Sequence, residues 1–167
     1  MAEVAREAGM RTIILTARHV NGFALWPTRL SDYSVANAAN KTDVVGAFVD
    51  VCRKHDIKPA LYINCGDHHN LVDQQVKAPD KKAYSFATRQ YLEFFMGQLE
   101  ELLTGYGPIE ELWLDGPARL GAIGRRETYD FIARTQPDTV VAMNGAWNDD
   151  GRFPDIGPYS WPTDVHV

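Results

Sequence analysis

The stretch Ile109–Pro117, "IEELWLDGP", sets Leu112, Trp113 and Leu114 directly before a carboxylate, Asp115, and then breaks the run with Gly116 and Pro117. An apolar run of this length, bounded by turn residues, reads as a buried strand. A carboxylate closing such a strand costs several kcal/mol unless it is paired, hydrogen-bonded or chemically employed. The pattern on either side of this strand decides both the fold and the carboxylate's use.

Working outward, strands and helices alternate. Downstream, Arg125–Thr135 has helical character and "TVVAMN" (Thr139–Asn144) is a further strand. Upstream, a long helix spans about Tyr84 to Thr104, with Leu92, Phe95, Leu99 and Leu102 on one side and Gly105 and Gly107 after it. Before it come the strand "KPALYIN" (Lys58–Asn64) and a helix from Thr42, where Val45, Phe48, Val49 and Cys52 recur at helical spacing and Thr42 or Asn40 offers a cap. The first strand, "RTIILTA" (Arg11–Ala17), follows a helix over Ala2–Ala8 that Gly9 ends.

Strands that are continuous apolar runs, separated by helices, build an α/β fold with a parallel sheet covered on its faces. The common homes for this are an open doubly wound sheet and a TIM-like (β/α)8 barrel; no G-x-G-x-x-G or phosphate-binding loop follows any strand, so the nucleotide-binding versions lose weight. A full barrel typically needs ~250 residues and eight strands. With 167 residues and four clear strands the chain reads as about half of one. Residues 1–167 form a single partial barrel domain on this reading, and the open sheet edges of such a half invite self-association.

Composition narrows the partners. A net charge of −5 opposes nucleic-acid binding and docking on anionic membranes. No apolar run approaches the ~20 residues that span a bilayer. Two cysteines, Cys52 and Cys65, have neither zinc spacing nor the number for a disulfide framework, and they fix no compartment.

Polar and aromatic residues collect after the strands: His19, Asn21, Phe23 and Trp26 after the first, Asp67, His68 and His69 after the second, Asp115 at the end of the third, and Asn144, Trp147 and Asp149 after the fourth. The turns at the opposite strand ends are plainer. In parallel α/β architectures ligands bind at the carboxyl ends of the strands, so this asymmetry marks a site. Taken singly, Asp115 could merely open a turn, Trp113 could be core, and the histidines could bond backbone carbonyls. Two chemistries fit the collected face. Asp67, His68 and His69 with His19 and Asp115 could ligate a divalent ion for metal-assisted hydrolysis. Alternatively, indole and imidazole rings around a buried carboxylate suit a pyranose, the carboxylate attacking the anomeric carbon.

Three collinear segments then resemble the α-L-fucosidases of glycoside hydrolase family 29: "AREAGMRTIILTARHVNGFALWPTRLSDYSV", "DVVGAFVDVCRKHDIKPALYINCGDHH" and "QLEELLTGYGPIEELWLDG". The likeness covers about Ala5 to Gly116 and continues more weakly through "RTQPDTVVAMNG". It implies a retaining glycosidase with Asp115 as the catalytic nucleophile. His19, Trp26, Tyr62, His69 and Trp113 match substrate-binding positions, and the ligand implied is a fucosylated glycan or small fucoside. It implies no metal and no cofactor. Against the family pattern, Val20 replaces the second histidine of a pair, Asn21 an aspartate, His68 a tryptophan, and Ile63-Asn64 a Tyr-Ser. The family's general acid/base is a glutamate later in its domain, and nothing up to Val167 matches it; Asp149, Asp155 and Asp164 do not. Hydrolysis of ordinary glycosides by these residues alone is therefore expected to be slow, with activated leaving groups or plain sugar binding as what remains.

Overall fold

The computed structural model describes residues 2–70, 72, 88–144 and 163–165. Trp147, Asp149, Asp155 and the expected helical residues 84–87 lie outside them. Four strands, β1 (Thr12–Arg18), β2 (Lys58–Asn64), β3 (Glu111–Asp115) and β4 (Val140–Met143), form one sheet in sequence order, every pair parallel. The helices are α1 (Ala2–Glu7), α2 (Val44–Lys54), α3 (Arg89–Gly105) and α4 (Gly121–Thr135), with short 3-10 turns at Val35–Asn37 and Pro117–Leu120. This is the expected succession of (β/α) units, part of a (β/α)8 barrel.

Some boundaries differ from the sequence expectation, each for a local reason. The cap of α2 is Asp43, whose Oδ1 accepts from Gly46 N at 2.9 Å. Asn40 and Thr42 are engaged one step earlier, the Asn40 carbonyl accepting both the Thr42 amide and its hydroxyl. Helix α4 begins at Gly121 rather than Arg125, although Gly-Ala-Ile-Gly is a weak helix former. Packing overrides propensity there: Gly124 is buried, and a Cβ on it would lie 3.6 Å from Leu92 of α3.

Register sorts the side chains into two faces. Leu61, Leu112 and Val141 stand abreast with Leu15, and Ile63, Leu114 and Met143 form the next such row. These rows pack with Val45, Val49, Phe95, Leu99 and Leu102 in the helix-covered core. The alternate residues, Thr16, Tyr62, Trp113 and Ala142, stand abreast on the opposite face, with Asn64 and Asp115 beside each other one step further up. Apolar alternation thus delivers Asp115 to the face that lines a barrel's interior.

A bulge in β1 breaks this alternation once. Thr16 pairs with Tyr62 but Arg18, not Ala17, pairs with Ile63. The extra residue turns Arg18 toward the helix layer, where its side chain is wholly buried. Its guanidinium binds the equally buried Asp67 carboxylate at 3.1 Å, Gln98 Oε1 of α3 at 2.6 Å and the Asn64 carbonyl at 2.7 Å, and lies 5.5 Å from the Phe95 ring centroid.

The two edges of the sheet are unlike. On β4 the outward amides of Val141 and Met143 are taken by Asp164 Oδ2 at 2.8 Å and Thr163 Oγ1 at 3.0 Å, and Val165 bridges Ala142. β1 has no strand beyond it among the described residues, although Ala24 and Leu25 fold back on its last two residues.

Breaking a buried pair leaves an uncompensated charge, so Arg18→Met is expected to cost about 3–5 kcal/mol in urea unfolding, and adding Asp67→Asn to recover part of the loss.

Candidate active site

The register places Asp115 between two asparagines. Asn64 closes β2 and gives its Nδ2 to Asp115 Oδ2 at 2.8 Å; Asn144, just past β4, gives its Nδ2 to Asp115 Oδ1 at 2.8 Å. The Tyr62 hydroxyl also donates to Oδ2. Three neutral donors, from β2 and from just past β4, therefore hold a half-buried carboxylate in one orientation, with no ion pair to it among the described residues. The tight turn after it uses Gly116 at φ +69°, a backbone state that favours glycine.

Tyr62 links the carboxylate to two more rings. The imidazole of His19 stacks on the Tyr62 ring with centroids 5.8 Å apart and planes 11° apart, and Trp113 meets Tyr62 edge-on at 5.6 Å. His19 is exposed and Trp113 half-buried, with its indole nitrogen buried and unpartnered. The structure thus brings four of the expected residues, Asp115, Tyr62, His19 and Trp113, into one contiguous group.

The other two lie elsewhere. His69 is exposed and stacks on Tyr33 at 3.7 Å, with Phe23 edge-on to Tyr33, and no contact among the described residues joins it to Asp115. Trp26 requires a correction: it is only 2% exposed, and its indole N–H is held by Glu101 Oε2 of α3 at 2.9 Å. Burial pushes the Glu101 carboxyl up, but bonds from Thr28, Arg29 and Trp26 together bring it below its ordinary value, so it stays an ionised acceptor for that indole. Trp26 therefore packs into the core against α3, and no contact among the described residues joins it to Asp115.

The metal alternative also gives way. Asp67 is turned inward to Arg18, and it accepts from the backbone amides of His69 and Asn70 and from the Asn70 side chain. A carboxylate so committed fixes a loop and is not available as a ligand. Among the described residues no three His, Cys, Asp or Glu side chains converge as a metal set. The loop after β1 packs closely on this anchor. Gly22 has φ +88°, and a Cβ there would fall 2.3 Å from Asp67 Oδ1, so both conformation and space demand glycine. The His68 amide donates to the Val20 carbonyl at 2.8 Å, and burial with the nearby Arg119 charge holds the His68 imidazole toward its neutral form. Cys52 and Cys65 are free and buried, and burial pushes both thiols up.

Sequence reasoning gathered Asn144 on this face without pairing it to Asp115, and missed Asn64 as a member of the group and Arg18 and Gln98 as its support. The signal for Asn64 was its place two residues after Tyr62, on the same strand face. Nothing in the sequence announces the bulge that buries Arg18.

Burial, reinforced by the bond to Asp115, pushes the Tyr62 phenol up to about 12. Its hydroxyl remains a donor across the neutral range. The stability from this raised group is present below pH ~10 and lost as pH climbs toward 12, because the folded state then binds the extra proton. Alkaline absorbance titration is expected to show Tyr62→Phe removing one phenol from the late-ionising set, while the early set stays intact.

The sequence profile of the α-L-fucosidase family matches residues 1–159. Among curated proteins, α-L-fucosidase 1 of Arabidopsis thaliana is 32% identical over 163 residues, covering 93% of this chain and 28% of the relative. Among solved structures, a glycoside hydrolase 29 family member from an unknown rumen bacterium superposes with a TM-score of 0.67 at 34% identity, over 89% of this chain and 27% of that one. A family 29 α-L-fucosidase from Bacteroides thetaiotaomicron gives a TM-score of 0.71 at 26% identity, over 91% and 37%. The chain therefore spans less than two-fifths of the length of each of these relatives. Likeness in sequence along nearly the whole chain, and in the course of its barrel strands, agrees on one ancestry: the chain belongs to the α-L-fucosidase family, glycoside hydrolase family 29.

Proposed function

We propose that residues 1–167 are one partial catalytic barrel domain that supplies the nucleophile side of a retaining α-L-fucosidase site. The observation that carries this is the Asp115 carboxylate, held at the end of a central strand by Tyr62, Asn64 and Asn144 beside the rings of His19 and Trp113. Neutral donors orient a carboxylate while leaving it anionic, which suits attack on a sugar's anomeric carbon. The ligand is a terminal α-L-fucosyl group of a glycan or small fucoside. His19 offers hydroxyl contacts, Trp113 an apolar ring and an N–H with no partner among the described residues, and His69 is kept as a substrate-binding residue on the family likeness alone.

In the proposed reaction Asp115 forms a bond to C1 as the bond to the leaving oxygen breaks. That oxygen needs a proton from an acid, and water later cleaves the fucosyl ester with net retention. With an activated aryl α-L-fucoside the leaving group needs little acid assistance. Turnover, or a covalent fucosyl adduct on Asp115, is expected with such a substrate, and Asp115→Asn should lower the rate roughly 10^3-fold or more. Calorimetry that shows fucose binding unchanged by Asp115→Asn, with no turnover, would identify a sugar-binding domain without catalysis. Absence of both reaction and binding would remove the fucosidase reading.

We also propose that copies associate through the open edge of β1, where Ile14 is 38% exposed. Sedimentation velocity is expected to show concentration-dependent self-association; a monomer that persists as concentration rises contradicts it.

A further inference from the structure

The geometry points to Oδ1 of Asp115 as the attacking oxygen, with Asn64 the positioning residue that holds Oδ2 still; this rests on the reading of Asp115 as nucleophile. The two oxygens are not equivalent. Oδ2 accepts from both the Tyr62 hydroxyl and Asn64 Nδ2, which occupies its two lone pairs. Among the described residues Oδ1 accepts from Asn144 Nδ2 alone, which leaves a lone pair for a new bond.

The two asparagines differ in the same sense. A carboxylate can only accept, so each amide must turn its NH2 end toward Asp115 and its carbonyl away. The Asn64 carbonyl accepts the Gly66 amide at 2.9 Å, so that side chain is fixed at both ends. Among the described residues the Asn144 carbonyl is buried without a partner, and that side chain is held by Asp115 alone.

Attack through Oδ1 matches these tethers. As the Oδ1–C1 bond forms, the bond from C1 to the leaving group breaks and its electron pair departs on the leaving atom. Asp115 loses its charge, Oδ1 becomes the ester oxygen and Oδ2 the ester carbonyl. Hydrogen bonds to an ionised acceptor are about twice as strong as neutral ones, so the donor on Oδ1 is the one that slackens. That donor is Asn144, whose side chain no other described residue restrains. The carbonyl keeps both of its donors throughout. Attack through Oδ2 would instead require Tyr62 and the doubly tied Asn64 to give way together.

The test uses a 2-fluoro-α-L-fucosyl fluoride, whose fluoride departs as an anion and needs no proton. In a crystal structure of the labelled protein, the ester oxygen is expected to face Asn144, with the carbonyl oxygen within hydrogen-bond reach of Tyr62 and Asn64. Asn64→Leu should lower the limiting rate of labelling roughly 10^2-fold, because a misaimed oxygen costs about that much, with the half-saturating concentration within about twofold of wild type. Asn64→Ser, which keeps a donor, should recover part of the rate. A carbonyl oxygen turned to Asn144, or an Asn64→Leu protein that labels at the full rate, overturns the assignment while leaving Asp115 as nucleophile. A wild-type protein that is not labelled at all overturns the nucleophile reading, and this assignment with it. The trapped wild-type structure decides the oxygen even if the variants fold poorly.

Discussion

The arrangement depends on one buried cation. Arg18 has no access to water, and its guanidinium is divided among the Asp67 carboxylate, the Gln98 side chain and the Asn64 carbonyl. These partners come from the loop after β2, from α3 and from the end of β2, each 46 to 80 residues from Arg18 in the chain. An ion pair of this kind contributes little net stability, since desolvation offsets the attraction, but it tolerates few alternative arrangements. Its effect is to fix where the loops after β1 and β2 lie. Asp67 passes that order on to His69 and Asn70 through their backbone amides, and Asn64 stands directly between Arg18 and Asp115. The carboxylate that faces the open side is thus oriented from below by a charge that never faces it.

Much of the fold was legible because it follows from periodicity. The run at Leu112–Leu114, the alternation of strands with helices and the gathering of polar residues after each strand together required a parallel sheet with Asp115 at its functional end. Asp115, Tyr62, His19 and Trp113 fell together because strand register alone brings them abreast. What was hidden is what register cannot carry. A bulge adds one residue without any compositional mark, so the burial of Arg18 could not be read from "LTARH". Trp26 looked like a ring for a ligand because its motif lies in a loop after a strand. The structure shows that this loop folds back onto α3, and Glu101, remote in sequence, claims the indole. The triplet of Asp67, His68 and His69 suggested a metal for the same reason: adjacency in sequence says nothing of which way each side chain turns.

Asp115 illustrates how a protein can order an anion without quenching it. A guanidinium or ammonium at the same place would attract the carboxylate more strongly and also stabilise it against reaction. A phenol and two amides instead fix its plane through directional bonds. The burial that keeps Tyr62 protonated is part of the same design, because an ionised phenolate would repel the group it now holds.

The two margins of the sheet carry a last consequence. Along β4 the outward amides are answered by the side chains of Asp164 and Thr163, and the Asp164 amide in turn reaches the Val141 carbonyl. Among the described residues the margin without a strand neighbour is that of β1. Identical molecules that met margin to margin would use up its backbone groups in a single encounter about a two-fold axis, leaving neither participant a second face to extend. Under the association proposed above, that geometry would give a closed pair, not an open-ended fibre.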